Sequence, residues 1–312
     1  MREALAALLH GVSRADLARR SAAITALYRA GRGSDVAIAD RLDALAYAVA
    51  RMPATCAAVA EALRRLREAA PDLAPASLLD LGCGAGAATR AARQAFASLT
   101  EARLIDRNPA MLDLARELAA ADGLAVEARR AGLDEAAGEA DLVTLAYVLV
   151  ESPVAEAAKI ACAAFARARA ALVLVEPGTP AGFERLRVAR AALIEAGAHL
   201  AAPCPHALAC PVAAPDWRHF SVRVQRSRDH LATKRAEVPY EDEPFMYLAL
   251  TRAPVAPEGA RILARPRRDR TGVALRLCDA DGALRDLVIP ARDREATRHA
   301  RRLDEGDVFT PR

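Results

Sequence analysis

Two groups of residues in this chain have types and spacings that could do chemistry. The first is a glycine loop, Leu79-Asp80-Leu81-Gly82-Cys83-Gly84-Ala85-Gly86. Glycines at 82, 84 and 86 let a backbone approach a ligand without obstruction by Cβ. Their G-x-G-x-G spacing departs from the G-x-G-x-x-G of dinucleotide sites, which makes NAD the weaker candidate. Asp80 stands where a carboxylate can receive a ligand ammonium. Asp106 follows Gly86 by 20 residues, at a strand end, where its two oxygens can accept both hydroxyls of a ribose. The bland alternative is a turn that only packs a strand against a helix. The second group is Pro203-Cys204-Pro205-His206, Ala209-Cys210-Pro211 and Asp216-Trp217-Arg218-His219-Phe220, with Cys278 further on. Thiols in polar, Pro-rich surroundings of a reducing compartment point to metal or cluster ligation before disulfides. The alternative is that Cys204 and Cys210 are loop residues between prolines.

These residues need a frame to position them. Residues 1–72 read as helices: Ser13-Arg14-Ala15-Asp16 is a capping signal, a break falls at Gly31-Arg32-Gly33-Ser34-Asp35, and helices fit 37–51 and, after Pro53, 54–69. No chemistry is visible there, and a helical cap on a following domain is the plain reading. From residue 76 strands alternate with helices. Strands are expected at 77–81, 102–106, 124–129, 142–148 and 171–176, with helices at 85–96, 109–121, 154–167 and 183–196. Such alternation implies a parallel sheet covered on both faces, an α/β fold of the Rossmann-like kind. Two β-rich runs follow the cysteine segment (201–220), at 220–224 and 245–251. A small β-rich unit is expected over 254–312, with a turn at Asp279-Ala280-Asp281-Gly282 and a closing helix at 293–303. The middle domain spans 73–253.

Composition bounds the rest. Of 312 residues, 53% are hydrophobic and 27% charged, which is globular rather than disordered. No run approaches the length of a membrane-spanning helix, and Met1-Arg2-Glu3-Ala4 opens an amphipathic pattern rather than a secretory signal, so the cytoplasm is the expected location and no membrane partner is expected. A net charge of +4 leans weakly toward acidic partners. Only clustering of arginines would make RNA specific. Arg218, Arg223, Arg226, Arg228, Lys234 and Arg235 form one cluster, and Arg261, Arg265, Arg267, Arg268 and Arg270 another. They fit an RNA phosphate-binding face or a solvated Arg-rich surface about equally well.

The loop resembles the D-x-G-x-G pattern of S-adenosylmethionine-dependent methyltransferases, which implies that cofactor, with its ammonium at Asp80 and its ribose at Asp106. The terminal strand pair of such sheets is similar to the runs at 220–224 and 245–251. Substrate chemistry is not displayed: where amino-group methyltransferases carry an Asn/Asp-Pro-Pro-aromatic motif, this chain reads Leu145-Ala146-Tyr147-Val148. Pro203-Cys204 lies too late in the chain for a cytosine nucleophile, and Glu151 and Glu176, near strand ends, could equally well cap helices.

With the cysteine segment, Tyr147-Val148-Leu149-Val150-Glu151, Val175-Glu176-Pro177-Gly178-Thr179-Pro180-Ala181-Gly182-Phe183 and Tyr240-Glu241-Asp242-Glu243-Pro244-Phe245 resemble a family of bacterial and mitochondrial methyltransferase-like proteins that assist small-ribosomal-subunit assembly. The resemblance implies association with that subunit, its precursor or its rRNA, and an iron–sulfur cluster held by four cysteines. Cys204, Cys210 and Cys278 match three of those ligands, and Arg218 stands at the fourth. A cationic guanidinium has no lone pair to offer iron. The implied alternatives are a [4Fe-4S] cluster completed by His219, His206 or a small molecule, a Cys₃His zinc site, or a degenerate site. A catalytically inactive assembly factor, or a methyltransferase of a small molecule or protein, are the competing functions.

Overall fold

The computed structural model describes residues 2–30, 33–212, 215–255 and 259–311. Gly31 and Arg32 of the expected break lie outside the described residues. Helices come first: α1 (Arg2–Leu8), α2 (Arg14–Arg29), α3 (Ser34–Ala37), α4 (Arg41–Ala50) and α5 (Met52–Ala69). Ser13 caps α2 by accepting from the Asp16 N–H, as its spacing promised. The helix expected from 37 begins instead at Arg41, because Asp40 turns out of the helix and its carboxylate accepts from the Asp43 N–H. Pro53 sits in the first turn of α5, where its missing N–H costs nothing.

The main sheet follows: β1 (Ser77–Leu81), α6 (Ala87–Ala95), β2 (Glu101–Asp106), α7 (Pro109–Ala121), β3 (Ala125–Arg130), β4 (Ala140–Ala146), α8 (Ala157–Arg167), β5 (Ala168–Pro177), α9 (Pro180–Glu195), β6 (His199–Ala202), β7 (Phe220–Gln225), α10 (Arg228–Lys234) and β8 (Tyr240–Thr251). Strand order is β3-β2-β1-β4-β5-β8-β6, with β7 paired to β8 outside that path. β1 to β5 run parallel, and β8 is antiparallel to both β5 and β6. This is the class I methyltransferase sheet. The strand that sequence patterning missed, β6, completes its end, while Phe220–Gln225 is an added ribbon on the first half of β8 rather than the terminal partner.

One core joins this sheet to α5, whose Ala58, Ala62, Leu63 and Leu66 are buried against it. A second core holds α2 and α4 on Met111, Leu114 and Leu118 of α7, and includes Ala85, so the N-terminal helices lie beside the glycine loop. A smaller antiparallel sheet closes the chain: β9 (Ala260–Ile262), β10 (Arg267–Arg268), β11 (Gly272–Cys278), β12 (Leu284–Pro290), α11 (Arg294–Ala300) and β13 (Val308–Phe309). The β11–β12 hairpin turns through Gly282 at φ +82°, where the Asp-Gly signal lay. This unit docks through Arg261, which donates to the Pro203 carbonyl (2.7 Å) as well as to the Gly306 carbonyl (2.6 Å) within the unit, and through the Arg65–Asp307 pair. No helix among the described residues is long and apolar enough to cross a membrane.

Candidate functional site

The order of the strands reverses between β1 and β4, and in open α/β sheets ligands bind in the crevice beyond the strand ends at that point. Here the crevice is a cavity of about 510 Å³. The glycine loop forms its floor. Gly82, Gly84 and Gly86 all have positive φ (68°, 51° and 82°), which a side chain would strain. At Gly82 a Cβ would also fall 2.6 Å from the Val148 side chain. The loop is held by Gly82 and Cys83 N–H groups donating to the Ile105 carbonyl at 2.8 and 3.0 Å.

Asp106 ends β2 inside the cavity wall. One carboxylate oxygen accepts from the Gly84 N–H and the other from the Asn108 N–H, both at 2.8 Å. Burial pushes its pKa up, against those N–H donors, which pull it down. Each oxygen keeps a lone pair for a ligand hydroxyl. Asp80 also lines the cavity but is pinned more tightly: Thr89 donates through N–H (3.1 Å) and Oγ1 (2.6 Å) to one oxygen, and Thr144 Oγ1 (2.9 Å) to the other. It therefore ties α6 and β4 to β1, and a ligand ammonium would be an additional donor. Burial raises its pKa to about 6. Cys83 is buried and its thiol pushed well up by that burial and by Asp80, which makes it a small loop residue and not a nucleophile.

Sequence reasoning found no chemistry in the N-terminal helices, yet Tyr28 of α2 and Tyr47 of α4 line the cavity, with ring centroids 6.2 Å apart. Tyr147, just beyond β4, joins them. Its backbone lies at φ +61°, a conformation uncommon for a bulky residue, and its hydroxyl donates to Glu243 at 2.8 Å. The chain has five tyrosines, and three of them meet here, which only the tertiary fold could reveal. Burial raises the pKa of all three phenols, so they stay protonated and none can act as a base near neutrality. Glu176 is resolved as a structural side chain: fully buried, its carboxyl group accepts from the Leu149 (2.8 Å) and Val150 (2.9 Å) N–H groups and caps the short 3₁₀ turn 149–151.

The cysteine group assembles only in part. Cys204 and Cys210 are near enough to Cys278 to raise its pKa further after burial, to about 12. The Cys204 sulfur accepts from Arg190 Nε at 3.3 Å, and the same guanidinium donates to the His206 carbonyl at 2.6 Å. His206 Nε2 lies 3.3 Å from the Cys278 sulfur. His219, a ligand candidate, stacks on Trp217 (centroids 4.8 Å, 26° between planes), and the histidine in contact with a cysteine here is His206. Arg218, at the fourth ligand position, pairs with Asp216 at 2.6 Å. No three His, Cys, Asp or Glu side chains among the described residues are arranged to hold an ion. An arginine on one sulfur, a histidine on another and an arginine in place of the fourth thiol do not fit a four-thiolate cluster. Anaerobic reconstitution should leave the wild-type chain well short of a full [4Fe-4S] complement by iron and sulfide assay. A stoichiometric cluster in the wild-type protein would overturn that expectation.

A family model described as "Mitochondrial small ribosomal subunit Rsm22" matches residues 41–310. The chain belongs to the Rsm22 family. Among curated relatives, this Rsm22-family chain is 30% identical over 298 residues to the human mitochondrial ribosome assembly protein METTL17, covering 86% of this chain and 63% of that protein. It thus spans less than two thirds of the relative's length. Solved structures similar to part of it include magnesium protoporphyrin IX methyltransferase from Synechocystis with bound SAM (16% identity, TM-score 0.41, 62% of this chain and 78% of that one). Another is a putative RNA methyltransferase from Pyrococcus horikoshii (14% identity, TM-score 0.42, 62% and 83%).

Proposed function

We propose that this Rsm22-family protein binds S-adenosylmethionine in the crevice between β1, β2 and β4, binds rRNA, and acts in assembly of the small ribosomal subunit. The observation that carries the cofactor reading is the convergence of three positive-φ glycines with Asp106 at the strand-order reversal. Family membership supports the ribosomal part. Within the crevice Asp106 would receive the ribose hydroxyls. The three phenol rings offer electron-rich faces to a sulfonium or a flat base. The cofactor, when bound, supplies an electrophilic methyl group. This chain's own side chains supply binding and exclusion of water; the three tyrosines stay protonated, and the amino-group motif is absent at 145–148. The missing motif favours a cofactor-dependent assembly role over methyl transfer to an amino group.

Calorimetry on the purified chain should show S-adenosylmethionine binding with Kd on the order of micromolar, a binding free energy of about −8 kcal/mol. Incubation with labelled methyl donor and immature small subunits should give no stable incorporation into RNA. Folded protein that binds no cofactor defeats the reading, and stoichiometric methylated rRNA would convert it into a catalytic one.

A further inference from the structure

We infer that the protein's RNA-binding surface lies on the C-terminal β unit, formed by the β10–β11 hairpin and the end of α11, and that it takes the phosphate backbone of helical RNA. This deepens the ribosomal reading above and rests on it. Of the two arginine clusters in the sequence, the first is largely neutralised within the fold. Arg223 is in a two-pronged pair with Asp242 (2.7 and 2.8 Å), directly opposite it across β7 and β8. Arg226 and Lys234 converge on Glu241 at 2.9 and 2.5 Å, and Arg218 is taken by Asp216. Guanidiniums already matched to carboxylates have little left for a phosphate.

The second cluster is different. Arg267, Arg268 and Arg270 stand exposed on the hairpin, and folding brings Arg301 and Arg302, distant in sequence, beside them. Two hydrogen bonds fix that juxtaposition: Arg268 donates to the Leu303 carbonyl at 2.6 Å, and Arg301 to the Asp269 carbonyl at 3.2 Å. None of the five forms an ion pair with a carboxylate among the described residues. The one acid in the hairpin, Asp269, spends its Oδ1 on Thr271 and Gly272, though Arg267 helps hold its pKa below the ordinary value. Five cations around one carboxylate on an exposed face would repel one another unless an anion lies between them, and guanidinium forks match phosphate oxygens. The chemistry of the partner follows from what is missing. From Ala260 to Val308 there is no Phe, Tyr or Trp, so apart from His299 and the guanidiniums themselves the face offers no ring on which unpaired bases could stack. Helical RNA, read through its backbone, needs none.

The test uses the full chain and a short RNA duplex of arbitrary sequence, with one strand of it as the comparison. Arg267→Glu, Arg270→Glu and Arg302→Glu are combined, since these three side chains make no hydrogen bond that shapes the fold. A charge-matched control combines Arg19→Glu, Arg116→Glu and Arg187→Glu on α2, α7 and α9, whose exposed helical pairs contribute little to stability. By fluorescence anisotropy the patch variant should bind the duplex on the order of a hundredfold more weakly. Its slope of log affinity against log salt should be shallower by about two to three, one phosphate contact per lost arginine. The control should change far less, and S-adenosylmethionine affinity should be the same in all three proteins, which reports that the fold is intact. Duplex affinity retained in the patch variant, or lost equally in the control, overturns the surface while leaving the RNA reading standing, and would reassign the arginines to an acidic protein. A single strand bound more tightly than the duplex overturns the choice of helical RNA. Wild-type protein that binds neither form removes the RNA part of the proposed function itself.

Discussion

The Asp106→Ala protein is expected to bind S-adenosylmethionine about a hundredfold more weakly than wild type while keeping its fold. Two losses combine. The carboxylate offers acceptors to the ribose hydroxyls, and charge-assisted hydrogen bonds of this kind are worth roughly 1.5–3 kcal/mol each. It also holds the glycine loop in its ligand-ready shape, through the Gly84 N–H at 2.8 Å, and the start of α7 through the Asn108 N–H. Asp106→Asn keeps one acceptor oxygen and loses the charge, so it should fall between, at about tenfold. Because the residue lies at a cavity wall and not in the core, thermal unfolding without ligand should shift little, and the effect should appear as a lost ligand-induced rise in Tm. A titration showing Asp106→Ala within about twofold of wild type would place the ribose elsewhere.

Much of the frame was readable because local patterns agreed with the fold. β1 and α7 begin and end where the sequence pattern put them, at 77–81 and 109–121. The β11–β12 hairpin followed its Asp-Gly turn. β6 escaped notice because His199–Ala202 is four residues with no β-branched side chain, and a strand that short is specified by its pairing with β8 alone. α10 was hidden in a run of charges whose Ser227 cap is its only local signal. At the site, the glycines and Asp106 were visible because backbone chemistry demands particular residue types at fixed offsets. The tyrosines were not, since a Tyr on an Ala-rich helix looks the same whether it faces solvent or a cavity. The arginine clusters show the same limit from the opposite side. Arg223 and Arg267 are equivalent in sequence, and only the β7–β8 register, which sets Asp242 across from Arg223, separates a neutralised cation from an available one.

Replacing Glu176 by Ala should destabilise the protein by about 3 kcal/mol or more, the expected cost of stripping partners from buried N–H groups and leaving a cavity. The carboxyl group is fully buried beneath the turn that follows Tyr147, and it accepts from the Leu149 and Val150 N–H groups. The conservative variant Glu176→Gln gives a sharper test, because it changes how stability depends on pH. Burial raises the Glu176 pKa to about 8, against backbone N–H donors that pull it down. In the unfolded chain the same group ionises near its ordinary value of about 4.3. Between these limits the folded state holds a proton that the unfolded state has released, so stability must fall as pH rises from near 4.3 through 8. Below that window both states are protonated, and the contribution is fully present; above it both are ionised, and it is gone. Glutamine keeps one acceptor oxygen but turns an amide N–H₂ toward the second donor, so the variant should be the less stable protein at pH 5. It carries no titration, so the gap between variant and wild type should close steadily up to pH 8. Asp80, raised to about 6, tilts both proteins alike and cancels in the difference. Unfolding curves for wild type and Glu176→Gln that stay parallel from pH 5 to 8 would mean that Glu176 is already ionised in the folded protein, held as a carboxylate by its backbone donors alone.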